Sequence, residues 1–287
     1  MWRKIRGREP EANISVNAFL PYVGLVAIGV LVGAYGTLIG AGGGFVLVPL
    51  LLLLYPHESP ARLTAISLAV VLANASSGSL SYYHLRLADY RSGAWLAVAT
   101  IPGAILGAIV VGTIPRVQFE LIMGVTLLVA GIYLAVRPHG RFPLLSTARF
   151  SVERTITDSA GSTHRYRFNL GLAMAFSVVV GFVSSLLGIG GGIIHVPLLT
   201  TFFEFPEHIA TATSHFVLIF TSGAGTATHI YESDYGGTLG VTISLAGGVL
   251  IGAPFGAALS RRVTGGWIIR LLAIALGLVG LRLLVTA

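Results

Sequence analysis

Few side chains in this sequence can do chemistry, and those that can are mostly neutral. His195, His215 and His229 stand inside long apolar runs. So do two polar rows at spacing seven: Ser67, Asn74 and Ser81, then Ser214, Thr221 and Thr228. Two glycine clusters interrupt apolar runs as well. Gly40-Ala41-Gly42-Gly43-Gly44 precedes Pro49-Leu50, and Gly188-Ile189-Gly190-Gly191-Gly192 precedes Pro197-Leu198. A glycine run opens backbone angles closed to other residues, so successive amides can turn inward as a nest. A helix starting behind it presents an N-terminus with roughly half a positive charge. Nests and helix N-termini hold oxyanions. Gly42, Gly43, Gly44, Gly190, Gly191 and Gly192 are therefore candidate binding residues, and two such termini suit a doubly charged anion. The competing reading is close helix packing through small residues.

Seven residues are close to two helical turns, so each polar row lies along one helix face. Asn74 and Ser77 crowd the middle of the first, and Thr221 and Ser222 the middle of the second. Their hydroxyls and amides are candidate contacts to the same anion; bonding to their own helix is the alternative. The histidines suit proton coupling, because imidazole switches charge near pH 6.5 and an ionisable group inside a membrane is a functional candidate by default. His195, three residues past the second cluster, is also a candidate binding residue. Their positional counterparts in the first half are Leu47, Leu68 and Tyr82. A hydrogen-bonded structural role competes for each. No metal site is expected: His215 and His229 lie fourteen residues apart, roughly 21 Å along one helix. Asp89 and Asp234 precede glycine-rich segments and read as helix N-caps. No carboxylate lies deep in an apolar run, and no acid–base pair or nucleophile triad appears at workable spacing. An enzyme is not expected, and no cofactor is implied.

The elements that must position these groups follow from composition. The chain has 287 residues, 54% hydrophobic and 10% charged, with mean hydropathy +0.85. Soluble domains carry roughly 25% charged residues, so this is a polytopic membrane protein in contact with lipid. Cysteine is absent, which excludes disulfides and thiolate chemistry. The net charge of +7 flanks apolar runs, and so sets topology rather than binding nucleic acid. Eight apolar segments lie near 19–54 (broken at 40–44), 63–83, 92–113, 118–136, 170–203 (broken at 188–192), 210–230, 238–259 and 266–286. The expected fold is all-α: two homologous four-segment repeats, with a glycine-broken helix at the start of each.

Residues 1–18 read as a basic cytoplasmic tail, 19–136 as the first transmembrane repeat, 137–169 as a basic cytoplasmic linker and 170–287 as the second repeat. The first apolar stretch is too long for a cleaved signal, whose apolar region is about 7–15 residues. Eight crossings put twelve basic residues on one side, from the tail, Arg86, Arg91 and the linker, against five on the other. That favours both termini in the cytoplasm and halves that point the same way. Inverted halves need an odd number of crossings each, which a re-entrant half-helix would supply. The duplication extends past the glycines. Thr64-Ala65-Ile66-Ser67 matches Thr211-Ala212-Thr213-Ser214, Gly78 matches Gly225, Asp89-Tyr90 matches Asp234-Tyr235, and Gly103 and Gly107 match Gly248 and Gly252.

Two Gly-x-Gly-Gly-Gly segments ending in Val-Pro-Leu, each followed by a Thr-Ala-x-Ser helix and a later glycine-rich helix, resemble the TauE/SafE family of sulfite exporters. The resemblance covers nearly the whole chain apart from the tail and the linker. It implies a secondary transporter of a small sulfur oxyanion or organosulfonate in a bacterial inner membrane. The motif does not name the substrate, the direction, the coupling ion or the oligomeric state. A channel using the same site is the alternative, and an intramembrane assembly factor a more distant one.

Overall fold

The computed structural model describes residues 19–136, 151–159, 161–260 and 266–286. Arg3, Lys4, Arg6, Arg8, Arg137, Arg141, Arg149, Arg261 and Arg262, all used in the topology count, lie outside the described residues. Ten helices account for most of the rest: α1 (Phe19–Ile39), α2 (Gly44–Leu54), α3 (Pro60–Leu85), α4 (Tyr90–Val111), α5 (Arg116–Val136), α6 (Leu170–Leu187), α7 (Gly192–Phe202), α8 (Glu207–Tyr231), α9 (Leu239–Ser260) and α10 (Gly266–Thr286). Strands β1 (Ser151–Thr157) and β2 (Thr163–Asn169) form an antiparallel hairpin between α5 and α6.

Local chemistry sets the helix ends. Ser59 caps α3 by accepting from the Arg62 amide, with Pro60 in the first turn, where its missing N–H is no loss. Asp89 caps α4 by accepting from the Ser92 amide at 3.0 Å, and Asn169 caps α6 by accepting from the Leu172 amide. Asp234 differs. It stands five residues before α9 and accepts from His229 Nδ1 at 2.7 Å, so it is not the cap its position suggested. Pro49 and Pro197 lie inside α2 and α7, which run on for five residues beyond them, so neither proline ends its helix.

Tyr22–Ile39 of α1, together with α3, α4, α5, α6 and α9, is long and apolar enough to cross a membrane. α8 is as long, but its buried histidines, serines and threonines make it too polar to join them by composition. The outer surface is apolar: Leu31, Trp95, Val98, Val129, Val179, Ile243 and Phe255 are all exposed. The interior holds Thr37, Ser67, Asn74, Ser184, Ser185, Ser214 and His215, each fully buried. An apolar outer surface over an interior that holds these neutral polar groups beside its apolar core marks a multi-pass membrane protein.

The helices pair across the two halves of the chain: α1 with α9, α4 with α6, α5 with α10, and α3 with α8. Glycine permits the first two pairings. A Cβ added at Gly248, Gly252 or Gly256 would stand 2.3, 2.1 and 2.1 Å from the carbonyl oxygens of Val26, Val30 and Ala34. At Gly103 and Gly107 it would stand 2.0 and 2.3 Å from those of Val178 and Phe182. Gly252→Ala should therefore destabilise the protein by about 1–3 kcal/mol, the usual range for overpacking, read as a lower aggregation temperature in detergent. Gly247, with nothing within 4 Å of an added Cβ, is the control position.

These contacts also fix direction. Successive α9 glycines meet successive α1 residues, so α1 and α9 run parallel, as do α4 and α6. The start of α3 meets the end of α8 at Thr64 and His229, while Gly78 near its end meets His215 near the start of α8. α3 and α8 are therefore antiparallel. The start of α1 and the β1–β2 hairpin then lie at opposite ends of the bundle, unlike the shared side expected from counting basic residues. The reason is the short helix behind each glycine cluster. It turns back and adds a reversal that counting apolar segments misses.

The hairpin departs from the all-α expectation, in a stretch read only as a linker. Its strands alternate in exposure, and Tyr166 and Phe168 are buried against Phe203 and Phe205 of the α7–α8 turn. Arg154 Nε donates to Ser92 Oγ at 3.0 Å and lies 3.6 Å from Asp89. Tyr166 donates to Asp89 at 2.9 Å. Burial, then the Asp89 carboxylate, pushes the Tyr166 phenol well above its ordinary value, so it stays a donor.

Candidate functional site

The two glycine clusters cross at the centre of the bundle. Gly40, Gly42 and Gly43 have φ of 81, 75 and 84°, and Gly188, Gly190 and Gly191 have φ of 67, 78 and 84°. This is the left-handed region, which glycine enters without steric penalty. Gly43 and Gly191 share the same backbone angles, φ 84° and ψ −15°, as the N-caps of α2 and α7. A Cβ at Gly44 would stand 2.6 Å from the Gly188 carbonyl oxygen, and one at Gly192 2.4 Å from that of Gly40. Each half-helix thus begins against the other cluster. Side chains of Val71 and Leu218 fill the space beside Gly42 and Gly190.

Before the half-helices, Ala41 and Gly42 donate to the Gly36 carbonyl and Ile189 to that of Ser184, while the Gly190 amide finds no acceptor among the described residues. The amides of Gly43, Gly44 and Phe45, and of Gly191, Gly192 and Ile193, likewise find no acceptor among the described residues. All six residues are buried. The polar rows bind the clusters from outside. Ser67 donates to the Gly188 carbonyl at 2.6 Å and Ser214 to that of Gly40 at 3.5 Å.

Asn74 lies beside the first cluster. Its Oδ1 accepts from Thr37 Oγ1 at 3.1 Å, in the last turn of α1, while its Nδ2 is buried without a partner. His215 joins this group. Its ring lies edge-on to Tyr82, beside Gly78 and the Gly40 backbone, and neither ring nitrogen meets hydrogen-bond geometry. Tyr82 donates to the Thr37 carbonyl at 2.9 Å. Beside the second cluster stand Ser184 and Ser185, whose buried hydroxyls are also unpartnered. Ser184 Oγ would be 2.2 Å from a Cβ at Gly191.

Other candidates are placed apart. Ser77 donates to the Leu250 carbonyl of α9 at 3.2 Å. Thr221 donates to Thr100 of α4 at 2.8 Å, and Ser222 to the Leu218 carbonyl of its own helix. His195 is buried in α7 and lies 3.3 Å from Ser177 of α6, on the flank of the second half-helix. His229 lies far along α8, between Asp234 and Thr64. The three histidines therefore occupy three separate environments. Among the described residues no group of His, Asp and Glu gathers at metal-binding distance. Reading the sequence by matched rows missed Thr37, Ser184 and Ser185. The signal was present, since each lies within four residues of a glycine cluster in an apolar run.

The arrangement can hold a small ligand by neutral donors and helix termini. The sequence profile described as "Sulfite exporter TauE/SafE" matches residues 25–283. The chain is 30% identical to the "Probable membrane transporter protein YunE" of Bacillus subtilis (strain 168) over 271 residues, covering 92% of this chain and 98% of that protein. It is 23% identical to the "Probable membrane transporter protein MJ0441" of Methanocaldococcus jannaschii over 273 residues, covering 91% and 94%. No solved structure matches. With a family match across nearly its whole length and a full-length relative beside it, the chain belongs to the TauE/SafE sulfite exporter family of membrane transporters.

Proposed function

We propose that this protein is a secondary transporter of a small sulfur-containing anion, sulfite or an organosulfonate, working by alternating access in the bacterial inner membrane. The single observation that carries the reading is the crossing of two glycine clusters, which leaves six buried amides of α2 and α7 without acceptors. Buried groups left unpaired cost about 1–3 kcal/mol each, and an oxyanion at the two helix termini would satisfy them. Asn74 Nδ2, Ser184 Oγ and Ser185 Oγ, also unpaired, would complete its shell. Gly42, Gly190, Thr221, Ser222 and Ser77 would shape the surroundings at one remove.

The two halves act as inverted units, 19–136 and 170–287, which the antiparallel α3 and α8 support. Such an arrangement allows the same site to face either side by rocking one unit against the other. The hairpin end, which carries Arg86, Arg91, Arg154, Arg165 and Arg167, would be cytoplasmic.

Proteoliposomes preloaded with unlabelled sulfite should accumulate labelled sulfite by counterflow, saturably, because only a carrier exchanges. Thiosulfate and short organosulfonates form the competing panel. Flux without counterflow would replace the carrier with a channel. No saturable exchange with any member of the panel would remove the sulfur anion from the reading.

A further inference from the structure

At the end of the bundle opposite the hairpin, a hydrogen-bonded row runs inward from the surface to Thr64, which packs on the second glycine cluster. Asp234 and Glu232 line a cleft of about 370 Å³ together with Ser59, Ala61, Ile109 and Gly112. Below it His229 is fully buried, with Nδ1 2.7 Å from Asp234 Oδ2 and Nε2 3.4 Å from Thr64 Oγ1. Thr64 Oγ1 lies 3.0 Å from the carbonyl oxygens of both Pro60 and Ala61. The Thr64 backbone packs directly on the second cluster, since a Cβ at Gly188 would stand 2.9 Å from Thr64 Cα. One turn further along α3, Ser67 holds the Gly188 carbonyl.

The hydroxyl has one proton and three acceptors within reach, so its direction depends on the imidazole. With His229 neutral and Nδ1–H donating to Asp234, Nε2 is an acceptor and the Thr64 proton turns to it. With His229 protonated, Nε2–H donates to Thr64 Oγ1, and the Thr64 proton returns to the Pro60 and Ala61 carbonyls. One proton is taken up from the cleft, one positive charge is added beside Asp234, and no other bond changes. The charged groups facing the ring are Asp234 and Glu232, both from the turn after α8; α3 contributes only the neutral Thr64. In the first half the counterpart of His229 is Tyr82, which donates to the Thr37 carbonyl and has no acidic neighbour in this role.

We infer that His229 and Asp234 form the binding site for a coupled proton, and that protonation of the ring is transmitted to the second glycine cluster through Thr64, which packs on it. This inference rests on the transport reading above.

Two variants test it: His229→Gln, which keeps a polar side chain, and Asp234→Asn, which keeps the shape of the pair. In sulfite-loaded proteoliposomes both should retain counterflow within about threefold. Both should lose at least tenfold of pH-gradient-driven accumulation and of the accompanying proton movement, reported by trapped pyranine. Wild-type protein that exchanges sulfite without responding to a pH gradient overturns the inference. Unchanged gradient-driven accumulation in both variants overturns it too, as does loss of counterflow in both with normal assembly, which would make the pair structural. Sulfite exchange by wild-type protein is the separate test of the transport reading. A readout free of substrate is the side-chain nitrogen NMR titration of His229 in detergent. The titration should shift to lower pH in Asp234→Asn, and a ring that does not titrate between pH 4 and 9 in wild-type protein overturns the inference.

Discussion

Gly43→Leu and Gly191→Leu should each lower transport by at least about 100-fold, equivalent to about 2.7 kcal/mol, while protein still reaches the membrane. Two effects combine. Both residues hold φ 84°, where an L side chain meets its own backbone at a cost of roughly 1–2 kcal/mol. An added Cβ also collides: at Gly43 it would stand 2.7 Å from Val32 Cγ1 and 2.9 Å from the Val32 carbonyl oxygen. At Gly191 it would stand 2.2 Å from Ser184 Oγ. Either substitution re-aims the amides at the start of α2 or α7. Ser184→Gly removes the atom that collides at Gly191, so Gly191→Ala combined with Ser184→Gly should recover assembly better than Gly191→Ala alone. Assembly is read by gel filtration and transport by counterflow. Native flux in Gly43→Leu or Gly191→Leu would remove these clusters from the site.

Asp89→Ala should be the most destabilising single change outside the glycine clusters. The carboxylate is 4% exposed and serves three partners: the Ser92 amide, Tyr166 and Arg154. Its loss removes the cap of α4 and leaves the Tyr166 hydroxyl and the Arg154 guanidinium beside a vacated acceptor. Breaking a buried ion pair from one side costs about 3–5 kcal/mol. Arg154 keeps 16% exposure, so water screens part of that cost and the lower end applies. Released from Asp89, the hairpin should be cleaved in limited proteolysis within 151–169, and the detergent-solubilised protein should aggregate at lower temperature. Tyr166→Phe should show the same effect more weakly. The sign with pH follows from the raised phenol. Its contribution is complete below the ordinary tyrosine value, about 10, and is lost only as pH rises through the higher folded value. Resistance of the hairpin to proteolysis should thus not weaken between pH 7 and 9 through this group. Rapid cleavage of wild-type protein over that range would show that Tyr166 and Asp89 do not hold the hairpin.

Several features were legible in the sequence because they depend on local rules. The breaks at Gly40–Gly44 and Gly188–Gly192 follow from glycine alone, and α2 and α7 begin within them. The cap at Asp89 follows from a short acid before a helix. Gly103 and Gly107, like Gly248, Gly252 and Gly256, sit at tight helix contacts because spacing four puts them on one face. The hairpin was legible in principle, since Val152, Arg154 and Ile156 alternate with more exposed residues. A high density of arginine hid that period behind a reading by composition.

Read along the chain alone, the residues place it in a membrane and mark where glycine interrupts its apolar runs. Those are consequences of hydropathy and backbone freedom, which act within a few residues. That α3 and α8 run antiparallel, and that each half-helix starts against the other glycine cluster, emerges from the folded arrangement. It alone placed Asn74 with Thr37 and His215, and gave Asp234 to His229 rather than to α9. These relations join residues more than a hundred positions apart in some cases, such as Thr64 and His229. They are set by packing between halves, which no local pattern encodes. Asp89 and Asp234 match in sequence, yet one meets an arginine and a tyrosine while the other meets a histidine. The same residue type became a structural clamp at one end of the bundle and the partner of a titratable ring at the other.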